Sequence, residues 1–297
     1  MISFPFRLFS ETDDFPIHIQ YGFHDTDLYE HSHEDFSELV IVLSGSSGHI
    51  VNGERYKISE GDIFVINQSV SHGFIEPDKM VLCNIMFKPE KVFSSVYDIK
   101  RLAGFQALFV IEPQYYESYG FCSQLNLNPE EFSSIKKFID QLYDEYTKKQ
   151  EGWKDAVFSG FCGLCIACSR LYKTERAKNK NDFFKLADVA AYIENNFSSQ
   201  ITTEQLSEIS GYSQRQFLRV FKSAFSETPN NYITKLRIKK AKKLLESADI
   251  SIGEIAWECG YYDQNYFSRI FRKHTGMSPS VYQSMIRKKT VIHLLTF

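Results

Sequence analysis

The C-terminal third of the chain carries two versions of one segment, and this duplication restricts the fold more than any other feature. Leu206-Ser-Glu-Ile-Ser-Gly-Tyr-Ser-Gln-Arg-Gln-Phe-Leu-Arg-Val-Phe-Lys222 is followed about fifty residues later by Ile255-Ala-Trp-Glu-Cys-Gly-Tyr-Tyr-Asp-Gln-Asn-Tyr-Phe-Ser-Arg-Ile-Phe-Arg272. From Phe217 and Phe267 onward the offset is constant, so Arg219 pairs with Arg269, Phe221 with Phe271 and Lys222 with Arg272. The second copy has one extra residue in its turn. Each copy predicts helix, tight turn, helix. Thr202–Gln205 and Ser251–Glu254 have capping-box spacing and open the first helices. Gly211 and Gly260 end them, because glycine accepts the left-handed backbone of a helix terminus. Ser213–Gln216 and Asp263 open the second helices. Those helices bury Phe217, Val220 and Phe221 in one copy and Phe267, Ile270 and Phe271 in the other.

The opposite faces carry the chemistry. Copy one presents Ser213, Gln214, Arg215, Gln216, Arg219 and Lys222; copy two presents Gln264, Asn265, Ser268, Arg269 and Arg272. Arg, Gln and Asn reach base edges bidentately in the major groove, while Lys, Ser and further Arg suit phosphates. A single such face is ordinarily a solvated helix surface. Two faces with the same turn, the same apolar anchors and the same Arg point to paired helix-turn-helix units. Pro229–Ser247 predicts a helix that connects and spaces them, so that two reading helices enter successive major grooves about 34 Å apart on double-stranded DNA.

Charge divides the chain at the same place. Of 297 residues with net charge −3, residues 1–181 hold 18 basic and 26 acidic side chains, a net of −8, and residues 182–297 hold 16 and 11, a net of +5. A basic half suits a polyanion. Lys173–Asn181 is polar and aperiodic, which predicts a linker at 174–181. The 43% hydrophobic content excludes a mostly disordered chain. No apolar run reaches the roughly 18–20 residues of a membrane span, and the N-terminus lacks the marks of a secretory signal, so a cytoplasmic protein with no membrane partner is expected.

The first third reads as short strands: Ile17–His24, Phe36–Leu43, His49–Ile58, Asp62–Ile66 and Met80–Phe87, with Asn52-Gly53 as a hairpin turn. Many short strands with tight turns predict a closed or sandwiched antiparallel structure whose interior can hold a small ligand. His31 and His33, two apart, share a face of an extended segment. Together with Glu38, Gly45, Gly61 and His72 they resemble the two motifs of the cupin superfamily. Asp25, Asn67 and Ser69 stand where that pattern has Gly, Pro and Gly. Three imidazoles and a carboxylate suit a divalent transition metal; the same groups also suit the hydroxyls of a polyol, and both remain open.

The middle predicts two helices, Pro129–Lys149 and Trp153–Tyr172. Cys162, Cys165 and Cys168 have iron–sulfur-like spacing, but their apolar helical setting, without a fourth ligand, reads as core.

The duplicated segment, with Ile255-Ala…Cys259-Gly-Tyr…Phe267…Arg269…Phe271-Arg…Gly276…Ser278-Pro279…Tyr282, resembles the AraC/XylS family of bacterial regulators from Phe183 to about Arg287. Ser226 replaces the usual glycine in copy one. The region around His31-Ser-His33-Glu-Asp-Phe36-Ser-Glu38 is similar to the sugar-responsive members, the rhamnose regulators above all. The resemblance implies an α+β chain. A cupin or jelly-roll effector barrel would occupy 1–100, helices for homodimerisation 101–173, and a double helix-turn-helix domain 182–290. It further implies a monosaccharide effector held by His31, His33, Glu38 and His72, and activation through RNA polymerase. The expected protein is a regulator and not an enzyme. The alternatives are a metal-dependent cupin enzyme joined to a DNA-binding domain, and a DNA-binding protein without ligand control.

Overall fold

A computed structural model describes residues 2–10, 15–94, 98–111, 125–176, 182–247 and 250–294, and the chain divides into two compact units, Met1–Ala191 and Tyr192–Phe297. Among the described residues no helix is long and apolar enough to cross a membrane.

The first unit is built on strands β1 (Ile2–Phe4), β2 (Ile17–His24), β3 (Leu28–His33), β4 (Ser37–Val51), β5 (Glu54–Ser59), β6 (Asp62–Ile66), β7 (His72–Phe87) and β8 (Leu125–Asn126). β4 and β7 form one long antiparallel ladder, from Ser37 opposite Phe87 to Val51 opposite His72. Its register shifts between Val42 and Gly48, where bulges bend both strands. Before the bend β6 joins β4 and β2 joins β7; beyond it β5 joins β4 and β3 joins β7. Val40, Val42, Phe64, Ile66 and Leu82 from one half share a core with Val51, Ile58 and Phe74 from the other. The bent sheet is therefore wrapped around a single interior, in the manner of a barrel.

Two departures from the sequence reading have local causes. The expected break after Leu43 does not occur, and β4 runs on through Gly45-Ser-Ser-Gly48. Gly45 has φ +74°, and a β-carbon there would lie 2.4 Å from the carbonyl oxygens of Asp78 and Lys79. What looks like a loop signal is a bulge in which the two strands' backbones touch. The sheet is also not wholly antiparallel: β1 runs parallel to β3, pairing Ile2, Ser3 and Phe4 with His31, Ser32 and His33. The Asn52-Gly53 hairpin forms as read, with both residues at positive φ.

After β7 come the short helices α1 (Pro89–Val92) and α2 (Ala103–Phe105), the latter continued by a π-helical turn at Gln106–Ile111. The long helices α3 (Pro129–Lys148) and α4 (Trp153–Arg176) follow. Asn128 caps α3 through the amides of Glu130 and Glu131, at 3.0 and 2.9 Å. Cys165 and Cys168 are buried in α4. The region read as helical thus also contains β8, which pairs with β6. Of the expected linker, 174–176 continue α4 and 177–181 lie outside the described residues.

The second unit follows from within α5 (Asp182–Asn196) and continues with α6 (Thr203–Ser210), α7 (Gln214–Phe225), α8 (Pro229–Ser247), α9 (Ile252–Glu258), α10 (Gln264–Thr275) and α11 (Pro279–Leu294). Both capping boxes form, at Thr202 and at Ser251. The repeat extends to its latches: Tyr232 donates to Glu194 at 3.1 Å, and Tyr282, fifty residues later, donates to Glu246 at 3.0 Å.

Candidate nucleic-acid interface and effector pocket

The second helix of each helix-turn-helix unit is aimed by its own turn. α6 ends at Gly211, φ +67°, and Ser213 caps α7 through the amide of Gln216. α9 ends at Cys259-Gly260, φ +81° at the glycine, and Asp263 caps α10 through the amide of Tyr266 at 2.7 Å. Phe217, Val220, Phe221, Ala224 and Phe225 fix the inner face of α7, while Phe267 and Phe271 fix that of α10, with Ile270 only partly buried. This leaves Ser213, Gln214, Arg215, Gln216, Arg219 and Lys222 exposed on one unit and Gln264, Asn265, Arg269 and Arg272 exposed on the other, with Ser268 half-buried. Arg269 lies over the Tyr266 ring at 5.7 Å. A stacked guanidinium is held extended, which prepares it for bidentate bonding.

Inside the first unit the polar residues expected from the motif converge. His33 Nε2 lies 3.2 Å from His72 Nε2 and 3.5 Å from a Glu38 carboxylate oxygen, which is 3.9 Å from His72 Nε2. Ligand nitrogens of His31, His33 and His72 all lie within 4.8 Å of one another. Strand parity explains the meeting: β3 places His31 and His33 on one face, His31 pairs with His72 across β3 and β7, and Glu38 enters from β4.

Desolvation sets the chemistry. Glu38 is 3% exposed, and burial pushes its carboxyl up to about 8. Burial, then the neighbouring His31, brings His33 down to about 3; burial, with the surrounding imidazoles, holds His72 well below the usual range. Near neutral pH the cluster is a carboxylic acid among neutral imidazoles. His31 Nδ1 sits 3.1 Å from the Tyr29 carbonyl, and donating to it leaves the Nε2 lone pair available. Nδ1 of His33 and of His72 are buried without a hydrogen-bond partner. Buried polar atoms without a partner call for an explanation, and a bound ligand that completes their bonding is one. A donor set of neutral imidazoles and one carboxyl also fits a divalent transition metal.

Three participants were not read from the sequence. His49 is fully buried between Phe64 and Phe74, with ring centroids 4.7 and 5.2 Å away, and burial lowers it to about 3. Asn84, on the face of β7 that carries Leu82 and Met86, has a buried, unpartnered side-chain oxygen. Phe4 packs edge-on to His31 at 5.2 Å, because β1 lies along β3.

Comparison with known proteins agrees with this division of labour. Residues 17–158 match the model of an AraC-like ligand binding domain, and residues 206–285 that of a helix-turn-helix domain. The chain is 30% identical over 252 residues to the HTH-type transcriptional activator RhaS of Salmonella paratyphi B, a match covering 83% of this chain and 84% of that protein. It belongs to the AraC family of transcriptional regulators. Another AraC-family relative, the HTH-type transcriptional activator RhaR of Mannheimia succiniciproducens, is 28% identical over 280 residues, covering 94% of this chain and 95% of that one. The solved DNA-binding domain of AdpA in complex with a target DNA is 30% identical, covers 35% of this chain and 95% of that chain, and has a TM-score of 0.34. As an AraC-family member the chain is a ligand-responsive, sequence-specific DNA-binding regulator of transcription. The second helices of its two helix-turn-helix units are α7 and α10.

Proposed function

We propose that this regulator activates a sugar-utilisation operon when a monosaccharide occupies the barrel. The observation that carries this reading is the buried polar cluster with its unpartnered imidazole nitrogens, joined by Asn84. A pocket of this kind favours a ligand rich in hydroxyls, since an apolar ligand leaves its polar groups unsatisfied. His31, His33, Glu38 and His72 bind the effector, with His49 and Asn84 behind them. The effector must favour one of two states of the protein, because only differential affinity shifts an equilibrium. The relatives named as transcriptional activators support activation; in this reading a cytoplasmic homodimer delivers it through contact with RNA polymerase. α7 and α10 read base edges through Arg219 and Arg269, supported by Gln214, Arg215, Gln216, Gln264 and Asn265. Ser213, Lys222, Ser268 and Arg272 hold phosphates.

A divalent transition metal, held by His31, His33, His72 and Glu38, would supply a Lewis-acid anchor for sugar oxygens. The protein's own groups orient the sugar and exclude water in either case. The test is a thermal-shift screen of the full chain against monosaccharides, with and without chelator, followed by titration of promoter DNA. A sugar that raises the melting temperature and alters DNA affinity is the expected result. Stabilisation that chelator abolishes assigns the metal to the site. A panel in which no sugar shifts either quantity overturns the reading.

A further inference from the structure

The two helix-turn-helix units share α8, a semi-rigid spacer, so their relative rotation depends on how each is held against it and against the other. Contacts at the middle of α8 supply that hold. Arg237, on α8, donates from Nε to the Phe197 carbonyl at 2.7 Å and from a terminal nitrogen to the Ser199 carbonyl at 2.8 Å. Both carbonyls belong to the α5–α6 loop of the first helix-turn-helix unit. The same guanidinium lies over Tyr261, in the turn of the second helix-turn-helix unit, at 5.1 Å. One turn along α8, Lys240 donates to Ser198 Oγ at 3.2 Å, to the Glu258 carbonyl that ends α9, and to the Glu258 carboxylate at 3.3 Å. Gly260 completes the contact: a β-carbon there would lie 2.5 Å from the Ser198 carbonyl oxygen. The loop of the first helix-turn-helix unit is thus seated against the turn of the second and held there by Arg237 and Lys240.

The geometry points to Arg237 and Lys240 as positioning residues that fix the separation and rotation of α7 relative to α10, and hence the spacing between the two DNA tracts the protein accepts. This rests on the reading that both helices engage DNA. One additional base pair rotates the second tract by about 34° and displaces it by about 3.4 Å. A clamped pair of helices cannot follow that change without breaking the clamp, whereas a pair whose units can shift against each other can.

The experiment uses the full chain and a duplex that the wild-type protein selects from a randomised pool. Two derivatives carry one base pair added or removed between the protected tracts. Wild type is expected to bind the parent at least about tenfold better than either derivative, a penalty comparable to a mismatched base pair. Arg237→Ala and Lys240→Met are expected to bring that ratio to within about twofold. The slope of log affinity against log salt should stay unchanged, because neither cation contacts a phosphate. Arg237→Lys, which restores one of the carbonyl bonds, is expected to recover part of the discrimination. Lys240→Met keeps the packed stem, so it decides the matter if Arg237→Ala does not fold. Retained spacing preference in both variants overturns the clamp, as does a salt slope reduced by about one, which would make the lost cation a phosphate contact. A selected duplex with only one protected tract overturns the two-helix reading beneath it.

Discussion

The two units arrange polar chemistry in opposite ways. In the barrel the candidate groups are mostly buried, and desolvation decides their state: Glu38 rises to about 8 and His33 falls to about 3. On α7 and α10 the candidate groups are largely exposed, and local backbone geometry decides their aim through Ser213, Asp263 and two left-handed turns. A pocket that must distinguish a small neutral ligand gains from low dielectric, since each unsatisfied group then costs more. A surface that must find a polyanion gains from solvated charge, which attracts the partner from a distance. One consequence is that substitutions in the two units should have separable effects.

The largest expected effect tests that separation. Glu38→Gln should abolish the response to the effector while leaving effector-free DNA affinity within about twofold of wild type, a difference well below 1 kcal/mol. Equal losses of response and basal binding would erase the contrast between the units. The same variant has a pH signature. A carboxyl raised from 4.5 to about 8 on folding contributes stability that is present in full below about 4.5 and is lost as pH rises through about 8. In chelator-treated protein, His33, His49 and His72, lowered by burial, raise the stability of both proteins as pH climbs toward the ordinary imidazole range, so the signature is the difference: wild type should lose stability relative to Glu38→Gln between about pH 4.5 and 8. Next in size, Arg219→Ala and Arg269→Ala should each weaken specific DNA binding by about 1–3 kcal/mol and relax base preference at one tract. Each should leave the effector-induced thermal shift intact. The caps follow: Asp263→Ala should lower stability by about 0.5–2 kcal/mol in chemical denaturation, with Ser213→Ala in the same range. Smallest is Ser226→Gly. Ser226 ends α7 at φ +56°, where copy two has Gly276 at φ +83°. Removing that strain should raise the midpoint, by about 1 kcal/mol at most, and Gly276→Ser should lower it.

Legibility in the sequence followed the range of the interactions. Pro229–Ser247 was read to the residue, and Pro129–Lys149 differs from α3 by one, because proline starts and neighbouring caps are local signals. Glu38 and the three motif histidines were legible through spacing and strand parity. His49 was not, because its place in the interior depends on β4 continuing through Gly45–Gly48, and a bulge looks like a turn until its partner strand is known. β1 was missed for a related reason: a three-residue parallel pairing with a strand almost thirty residues away leaves no periodicity. Arg237 and Lys240 read as part of a charged helical run, and only the tertiary fold brings them onto the carbonyls of Phe197, Ser199 and Glu258.

The central claim is that two helices, α7 and α10, read DNA side by side, one through Arg219 and the other through Arg269. A hydroxyl-radical footprint of the full chain on its selected duplex tests it most directly. The expected pattern is two protected tracts about one helical turn apart, with Arg219→Ala clearing one and Arg269→Ala clearing the other. A single tract, or two tracts that survive both substitutions unchanged, would contradict it.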